Sequence, residues 1–340
     1  MTATEPVLIW GAGAIGGILG AYATRAGHAV QMVDIEADHV EAMRTGGLRI
    51  EGPVEEFVQV LAAQTPTTLT GTYRQVILAV KAHHTRQAMQ MLMLHLASDG
   101  FVVSAQNGLN EHVIAEMIGP DRTVGCFVNF GADWLEPGRI LYGNRAAVAL
   151  GELDGTPSPR VRALHALFAL VEPEAVVTDN IWGYLWGKMG YGSLLFATAL
   201  TPESMSDAMH PAPWRPVYAA LGHEVMCLAQ AEGVAPLGFN GFDPAAFLAR
   251  DTARMDASID AMVAHNRKTA KTHSGIYRDL AVRKRKTEVD AQVGVLIEIG
   301  RRHGIPTPAL SQLCDLIHGI ENGTETQSTE LLDRMVVTCS

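Results

Sequence analysis

The 340 residues include only four cysteines, Cys126, Cys227, Cys314 and Cys339. They are scattered and form no Cys-x-x-Cys pair, which excludes a disulfide framework and fits a reducing compartment. Positive charge is also short. Lys and Arg number 26 against 36 Asp and Glu, a net charge of -10, which argues against general nucleic-acid binding. No apolar stretch approaches the roughly 18 residues of a membrane span. The opening "MTATEPVLIW" has no basic segment ahead of a long apolar core, so no secretory leader is expected and a cytoplasmic location is. Repeats at solenoid periods and low-complexity tracts are missing too. Zinc-enzyme signatures are incomplete: "HEVMC" at 223–227 stops short of H-E-x-x-H, and the adjacent His83 and His84 lack helical ligand spacing. No metal site is expected. What remains is 48% apolar and 18% charged, the composition of a globular protein long enough for two domains.

Glycine is concentrated where it carries information. "GAGAIGG", residues 11–17, follows the apolar run Val7, Leu8, Ile9, Trp10. Gly11, Gly13 and Gly16 match G-x-G-x-x-G between a strand and a helix. The first permits a tight turn, the second lets a pyrophosphate approach the backbone, and the third lets the helix pack on the strand. Ala14 and Ile15 begin the helix, whose free N–H groups and partial positive charge suit phosphates. Gly27 marks its end. A second strand, "HAVQMVD", finishes on Asp34. An acid there hydrogen-bonds ribose hydroxyls and repels a 2′-phosphate. No arginine follows it among Ile35, Glu36, Ala37 and Asp38, so NAD(H) is expected over NADP(H). Capping of a helix that starts near Ala37 is a second role open to Asp34.

More strands follow at α/β spacing. "QVILAV" at 75–80 and "FVVSA" at 101–105 are continuous apolar runs suited to parallel strands covered on both faces. A helical stretch at 84–96 separates them. "TVGCFVNF" at 123–130 reads as a strand, 138–152 as a hairpin at a sheet edge, 157–170 as a helix and "AVVTD" at 175–179 as a short strand. After about residue 180 strand signals vanish. Helical spacing then covers 214–232, 251–265, 287–303 and 309–320, with "GIPTP" breaking the last two apart. The pattern predicts an α/β protein: an N-terminal Rossmann-type parallel sheet over 1–179, an all-helical C-terminal domain over 180–325, and a polar tail, 326–340, expected to be partly mobile.

Ligands of open α/β sheets bind beyond the carboxyl ends of the strands. Two polar residues stand there: Lys81 after "VILAV" and Asn107 in "QNG" after "FVVSA". A third, Lys188, lies in the apolar segment "IWGYLWGKMGYGSLLFATAL" at 181–200. A lysine is costly to bury there, and a desolvated one can serve as a proton donor; snorkelling along its stem is the other reading. Arg283, Lys284, Arg285 and Lys286 form a basic run just before Thr287 and Glu288. It is either a solvated face or an attractor of anions.

Together these residues resemble the ketopantoate reductase family (2-dehydropantoate 2-reductases). The resemblance covers most of the chain and rests on "GAGAIGG", "VKA" around Lys81, "QNG" around Asn107, "PGRI" at 137–140, Lys188, and "KTEVD" around Glu288. It implies hydride transfer between a nicotinamide cofactor and a 2-keto or 2-hydroxy acid. Lys188 would be the general acid. Glu288 would bind a substrate hydroxyl and help place that lysine. Asn107 and Lys81 would hold the nicotinamide ribose and substrate, and Ser274 would receive the substrate carboxylate. Three departures stand out. Members that reduce ketopantoate usually carry asparagines four and eight residues after the lysine, where this chain has Gly192 and Phe196. The stretch between Ser274 and Glu288 is basic and a residue longer. Asp34 favours NAD where biosynthetic members use NADP. A bulkier or more apolar 2-keto acid is therefore expected as substrate, with no membrane or nucleic-acid partner and a homodimer as the assembly to test. The alternatives are a dehydrogenase of another hydroxy acid, sugar acid or opine, and a non-catalytic dinucleotide-sensing regulator.

Overall fold

The computed structural model describes residues 5–268 and 272–339. The chain divides into two compact units, the first ending at Ile181 and the second starting at Trp182.

The first unit begins β1 (Val7–Trp10), α1 (Ala14–Arg25), β2 (Val30–Val33) and α2 (Ala37–Thr45). The short strands β3 (Leu48–Glu51), β4 (Phe57–Gln59) and β5 (Ala62–Gln64) follow, then β6 (Tyr73–Leu78), α3 (Thr85–Leu92), β7 (Leu96–Ser104), α4 (Asn110–Ile118) and β8 (Thr123–Val128). β9 (Gly131–Glu136), β10 (Arg139–Asn144), β11 (Val148–Glu152), α5 (Pro159–Phe168) and β12 (Val176–Val177) complete it. Eight strands form the main sheet in the order β12-β11-β8-β7-β6-β1-β2-β5. Every neighbouring pair is parallel except β8 with β11. β1 is buried along its whole length, which is why it reads as an unbroken apolar run rather than an alternating one.

The hairpin expected over 138–152 is corrected by this topology. β10 pairs antiparallel with β9, not β11, and both belong to a second sheet of order β4-β3-β10-β9. β11 returns to the main sheet against β8. β11 is buried at every residue and β10 at alternate ones, and one continuous stretch of sequence does not show that its two strands belong to different sheets.

The second unit is helical among its described residues: α6 (Ile181–Thr198), α7 (Met205–Met209), α8 (Arg215–Ala231), α9 (Pro244–Ala249), α10 (Thr252–Arg267), the single turn α11 (Gly275–Tyr277), α12 (Val295–His303), α13 (Pro308–Glu321) and α14 (Thr329–Cys339). Two π-helical segments, Arg278–Val282 and Asp290–Gly294, flank the turn that bears Glu288. The second replaces the first part of the α-helix expected from 287 onward. Glycine lets neighbours lie against α6: a Cβ on Gly187 would stand 2.0 Å from the Leu237 carbonyl oxygen. The buried Glu224 carboxylate of α8 accepts the Ala309 and Leu310 N–H groups at 2.8 and 2.9 Å. It thereby satisfies open donors at the start of α13. Burial pushes the Glu224 carboxyl pKa up, and those two bonds oppose the shift.

The polar tail is corrected as well. Its residues 329–339 form α14, which buries Leu331, Leu332 and Met335. Gln327 Nε2 donates to the Ala199 carbonyl at 2.7 Å and Trp214 Nε1 to Asp333 at 2.8 Å. Three apolar residues on one helical face are enough to dock a short segment whose average composition is polar.

Candidate active site

The register of the main sheet brings the sequence-predicted cofactor residues together. Trp10 of β1 pairs with Val33 of β2 and Leu78 of β6, and Leu78 pairs with Ser104 of β7. The residues just past this row are Asp34, the glycine loop, Lys81 and Asn107. Lys81 and Asn107 each stand three residues beyond their strand's member of the row. β1 lies between β2 and β6, so the chain reverses its strand order there. Such a switch point is where open α/β sheets bind ligands.

The glycines meet three different demands. Gly11 has φ +100°, and its Cβ would stand 2.8 Å from Ala79 C and Val80 N. Gly16 supports the Gly11 carbonyl, with a Cβ position 1.9 Å from that oxygen. Gly13 is the opposite: nothing lies within 4 Å of its Cβ position. It is the N-cap of α1 and makes no side-chain cap, and the first turn of α1, beginning Ala14 and Ile15, holds no acid. This open cradle at a helix N-terminus fits a pyrophosphate, so the residues present suit a dinucleotide.

Asp34 is half-buried and accepts two backbone N–H groups, Ala12 at 2.7 Å on Oδ2 and Glu36 at 3.0 Å on Oδ1. Glu36, not Asp34, is the N-cap of α2. Asp34 thus braces the glycine loop and closes the turn into α2. An ionised carboxylate offers about four acceptor positions, which leaves capacity for ribose hydroxyls.

Sequence reasoning missed His39. It is 1% exposed, and its Nδ1 accepts the Gly138 N–H at 2.9 Å. That makes Nε2 the protonated nitrogen, and it donates to the Ala12 carbonyl at 2.9 Å. Asp34 and His39 therefore hold both polar groups of Ala12, and His39 ties the loop to the β9–β10 turn. A second missed network fixes the other two strand ends. Gln106 Nε2 donates to the Val80 carbonyl at 2.9 Å and to Thr85 Oγ1 at 2.8 Å. Thr85 Oγ1 lies 2.9 Å from Asn110 Oδ1, and Asn110 Nδ2 donates to the Asn107 carbonyl at 2.6 Å. Lys81 and Asn107 are exposed at the ends of these ties. The only signal for Gln106 was its place beside Asn107.

In the helical unit, Lys188 is half-buried on α6 between the buried Gly187 and Met189. Ser274 is buried, and its Oγ accepts the Tyr277 N–H at 3.1 Å as the cap of α11. Its hydroxyl proton remains a donor. Glu288 is buried. The preceding Thr287 is anchored on α13: Glu321 Oε1 accepts both its N–H and its hydroxyl at 2.7 Å. Glu321 carried no sequence signal, since it lies 34 residues away.

The basic run resolves into two roles. Arg283 and Arg285 both turn to Asp279 Oδ1, at 3.1 and 2.9 Å. Two guanidiniums on one buried carboxylate hold the loop that leads to Glu288. Lys284, with φ +47°, and Lys286 are exposed.

Phe196, one of the two departures behind the expectation of a bulkier substrate, is 1% exposed. Eight residues past Lys188 is a rotation of about 80° on a helix, which carries Phe196 off the Lys188 face. Gly192 is only about 40° away, and nothing lies within 4 Å of its Cβ position. A cavity of about 410 Å³ lined by Arg215, Pro216, Arg250, Met255 and Ile259 touches none of the residues expected to act.

Comparison with known proteins gives the family. The family model "Ketopantoate reductase PanE/ApbA" matches residues 7–155, and its C-terminal counterpart matches residues 180–321. A 2-dehydropantoate 2-reductase of Mesorhizobium japonicum is 28% identical, over 93% of this chain and 98% of its own length. The crystal structure of a ketopantoate reductase from Ralstonia eutropha JMP134 matches with a TM-score of 0.78 at 25% identity, covering 94% of this chain and all of that one. D-mandelate dehydrogenase, solved with NADH and anilino(oxo)acetate, has the same fold at a TM-score of 0.81 and 20% identity, over 94% of this chain and 99% of that one. With a glycine loop at the switch point of a parallel sheet and both family regions matched in order, the chain belongs to the ketopantoate reductase family and is a nicotinamide-dependent oxidoreductase.

Proposed function

We infer that this protein transfers a hydride between NAD(H), in preference to NADP(H), and a 2-keto or 2-hydroxy acid larger than ketopantoate. The observation that carries the cofactor half is the Asp34 carboxylate, braced by Ala12 and Glu36 N–H groups in line with the glycine loop. A fixed negative charge there disfavours a 2′-phosphate. That the fold accommodates NADH is supported by D-mandelate dehydrogenase.

The bound nicotinamide supplies or accepts the hydride. In reduction, Lys188 donates a proton to the keto oxygen as negative charge gathers on it, so keto acid, hydride and proton give the 2-hydroxy acid. Ser274 donates its hydroxyl proton to the substrate carboxylate. Glu288, held through Thr287 and Glu321, accepts a substrate hydroxyl. In the oxidative direction Lys188 takes the proton back.

The cofactor reading is tested by steady-state kinetics with both cofactors. The wild type is expected to show the higher kcat/KM with NADH. Asp34→Ser with Ile35→Arg should shift the NADPH/NADH ratio of kcat/KM at least about tenfold, the worth of one ionic hydrogen bond. Ile35 is 70% exposed, so an arginine fits without repacking. A wild type already faster with NADPH overturns this reading.

The substrate reading rests on Gly192. Gly192→Asn introduces an amide one turn from Lys188 into open space, with no clash at Cβ. It is expected to raise kcat/KM for ketopantoate and to lower it for the best bulky keto acid in a panel. A wild type that prefers ketopantoate over every larger acid counts against the size argument.

A further inference from the structure

α13 carries Cys314 and His318 one turn apart, and therefore on one face. Asp290, the first residue of the second π-helical segment, meets that face: His318 Nε2 lies 2.9 Å from Asp290 Oδ1. The thiol sulfur, one imidazole nitrogen and one carboxylate oxygen all lie within 4.8 Å of one another. The nicotinamide chemistry uses none of the three. From the residues on the page we propose that Asp290, Cys314 and His318 form a binding site for a zinc-like divalent cation.

Two features support the assignment. First, the donors are one sulfur, one nitrogen and one oxygen. That mixed set suits zinc, whereas magnesium and calcium take oxygen ligands. Second, exposure is graded across the site. Cys314 is buried, His318 is partly exposed and the Asp290 side chain is 78% exposed, so an ion can enter past a mobile carboxylate and stop against a fixed sulfur. Zinc–ligand bonds of about 2.0–2.3 Å need the three groups to draw together, and Asp290 has the freedom to do so. α13 is already anchored at its start by Glu224, so two of the ligands sit on a fixed element.

Binding exchanges a proton for the metal. The Cys314 thiol loses its proton to solvent as its sulfur bonds the ion, and water completes the tetrahedron. The ion would join α13 to the segment that starts two residues after Glu288. Glu321 of α13 already holds Thr287 on the other side of Glu288. The site therefore fastens the turn carrying Glu288 at both ends.

The test is spectroscopic and independent of turnover. Full-length protein is stripped with a chelator and titrated with Co²⁺. One equivalent is expected to give the visible bands of tetrahedral cobalt together with a thiolate-to-cobalt charge-transfer band, and excess Zn²⁺ should bleach both. Cys314→Ser should abolish the charge-transfer band. His318→Gln, at a partly exposed position that should fold normally, should weaken binding about tenfold or more, since even outer partners of a metal ligand are worth about 10–100-fold. Cys227→Ser is the control, because Cys227 also lies one turn from a histidine, His223, at 3.4 Å. No charge-transfer band at saturating Co²⁺, a band that survives Cys314→Ser, or a band lost in Cys227→Ser each overturns the proposal.

Discussion

Lys188→Ala is expected to lower kcat by about 10²–10⁴, the usual worth of a positioned general acid, while leaving the affinity for NADH unchanged. The split follows from where the residues sit. Lys188 lies on α6 of the helical unit, whereas the glycine loop, Asp34 and His39 all belong to the first unit. Lys188 is half-buried between the buried Gly187 and Met189, where an ammonium is costly to desolvate. As hydride reaches the keto carbon, the oxygen gains negative charge that an ammonium both stabilises and protonates. Glu288→Ala should raise KM and lower kcat together, since its proposed role is to hold the substrate rather than to move the proton. Lys284→Gly is the control; it relieves a φ of +47° at an exposed position and should change neither constant by much. The measurement is kcat and KM on the best keto acid, with NADH binding followed by fluorescence. Lys188→Ala with most of its turnover intact would return Lys188 to the snorkelling reading.

Gly13→Ala is expected to fold like the wild type and to bind NADH about 10–100-fold more weakly, the loss of one charge-assisted hydrogen bond of ~1.5–3 kcal/mol. Its φ of -65° suits any residue, and its Cβ would meet no atom within 4 Å. The methyl group therefore costs the folded chain nothing and enters the space a pyrophosphate needs. Gly16→Ala is the informative partner. Its Cβ would lie 1.9 Å from the Gly11 carbonyl oxygen, so the loop itself must shift and Tm should fall even without cofactor. Thermal unfolding with and without NADH separates the two cases. If Gly13→Ala binds NADH as the wild type does, the pyrophosphate does not rest on that residue.

What the sequence determined by itself was local. The strand, glycine turn, helix and acid-ended strand over 7–34 are a continuous segment in which each residue's conformational demand is visible in its type. The positions of Lys81 and Asn107 were legible because each comes shortly after an apolar run that reads as a strand. Lys188 was legible because a charge in an apolar helix stands out.

Only tertiary structure decided the rest, since it depends on partners far apart in the chain. His39 joins Ala12 to Gly138 across separations of 27 and 99 residues, and as a single histidine near a helix start it announces neither contact. The basic run is ambiguous as text; the π-helical turn at 278–282 puts Asp279 under Arg283 and Arg285 and leaves Lys284 and Lys286 outside. Phe196 and Gly192 both looked like substrate positions, and the rotation of α6 sends one into the core and leaves the other facing space. The strands β3 and β4 are too short for alternation to assign them to a sheet, and only pairing with β10 does so. Asp290, Cys314 and His318 match no zinc spacing in sequence, because the carboxylate arrives from a separate segment folded against α13. Local conformation is set by adjacent side chains and backbone sterics, whereas register and long-range hydrogen bonds exist only once the chain has closed on itself.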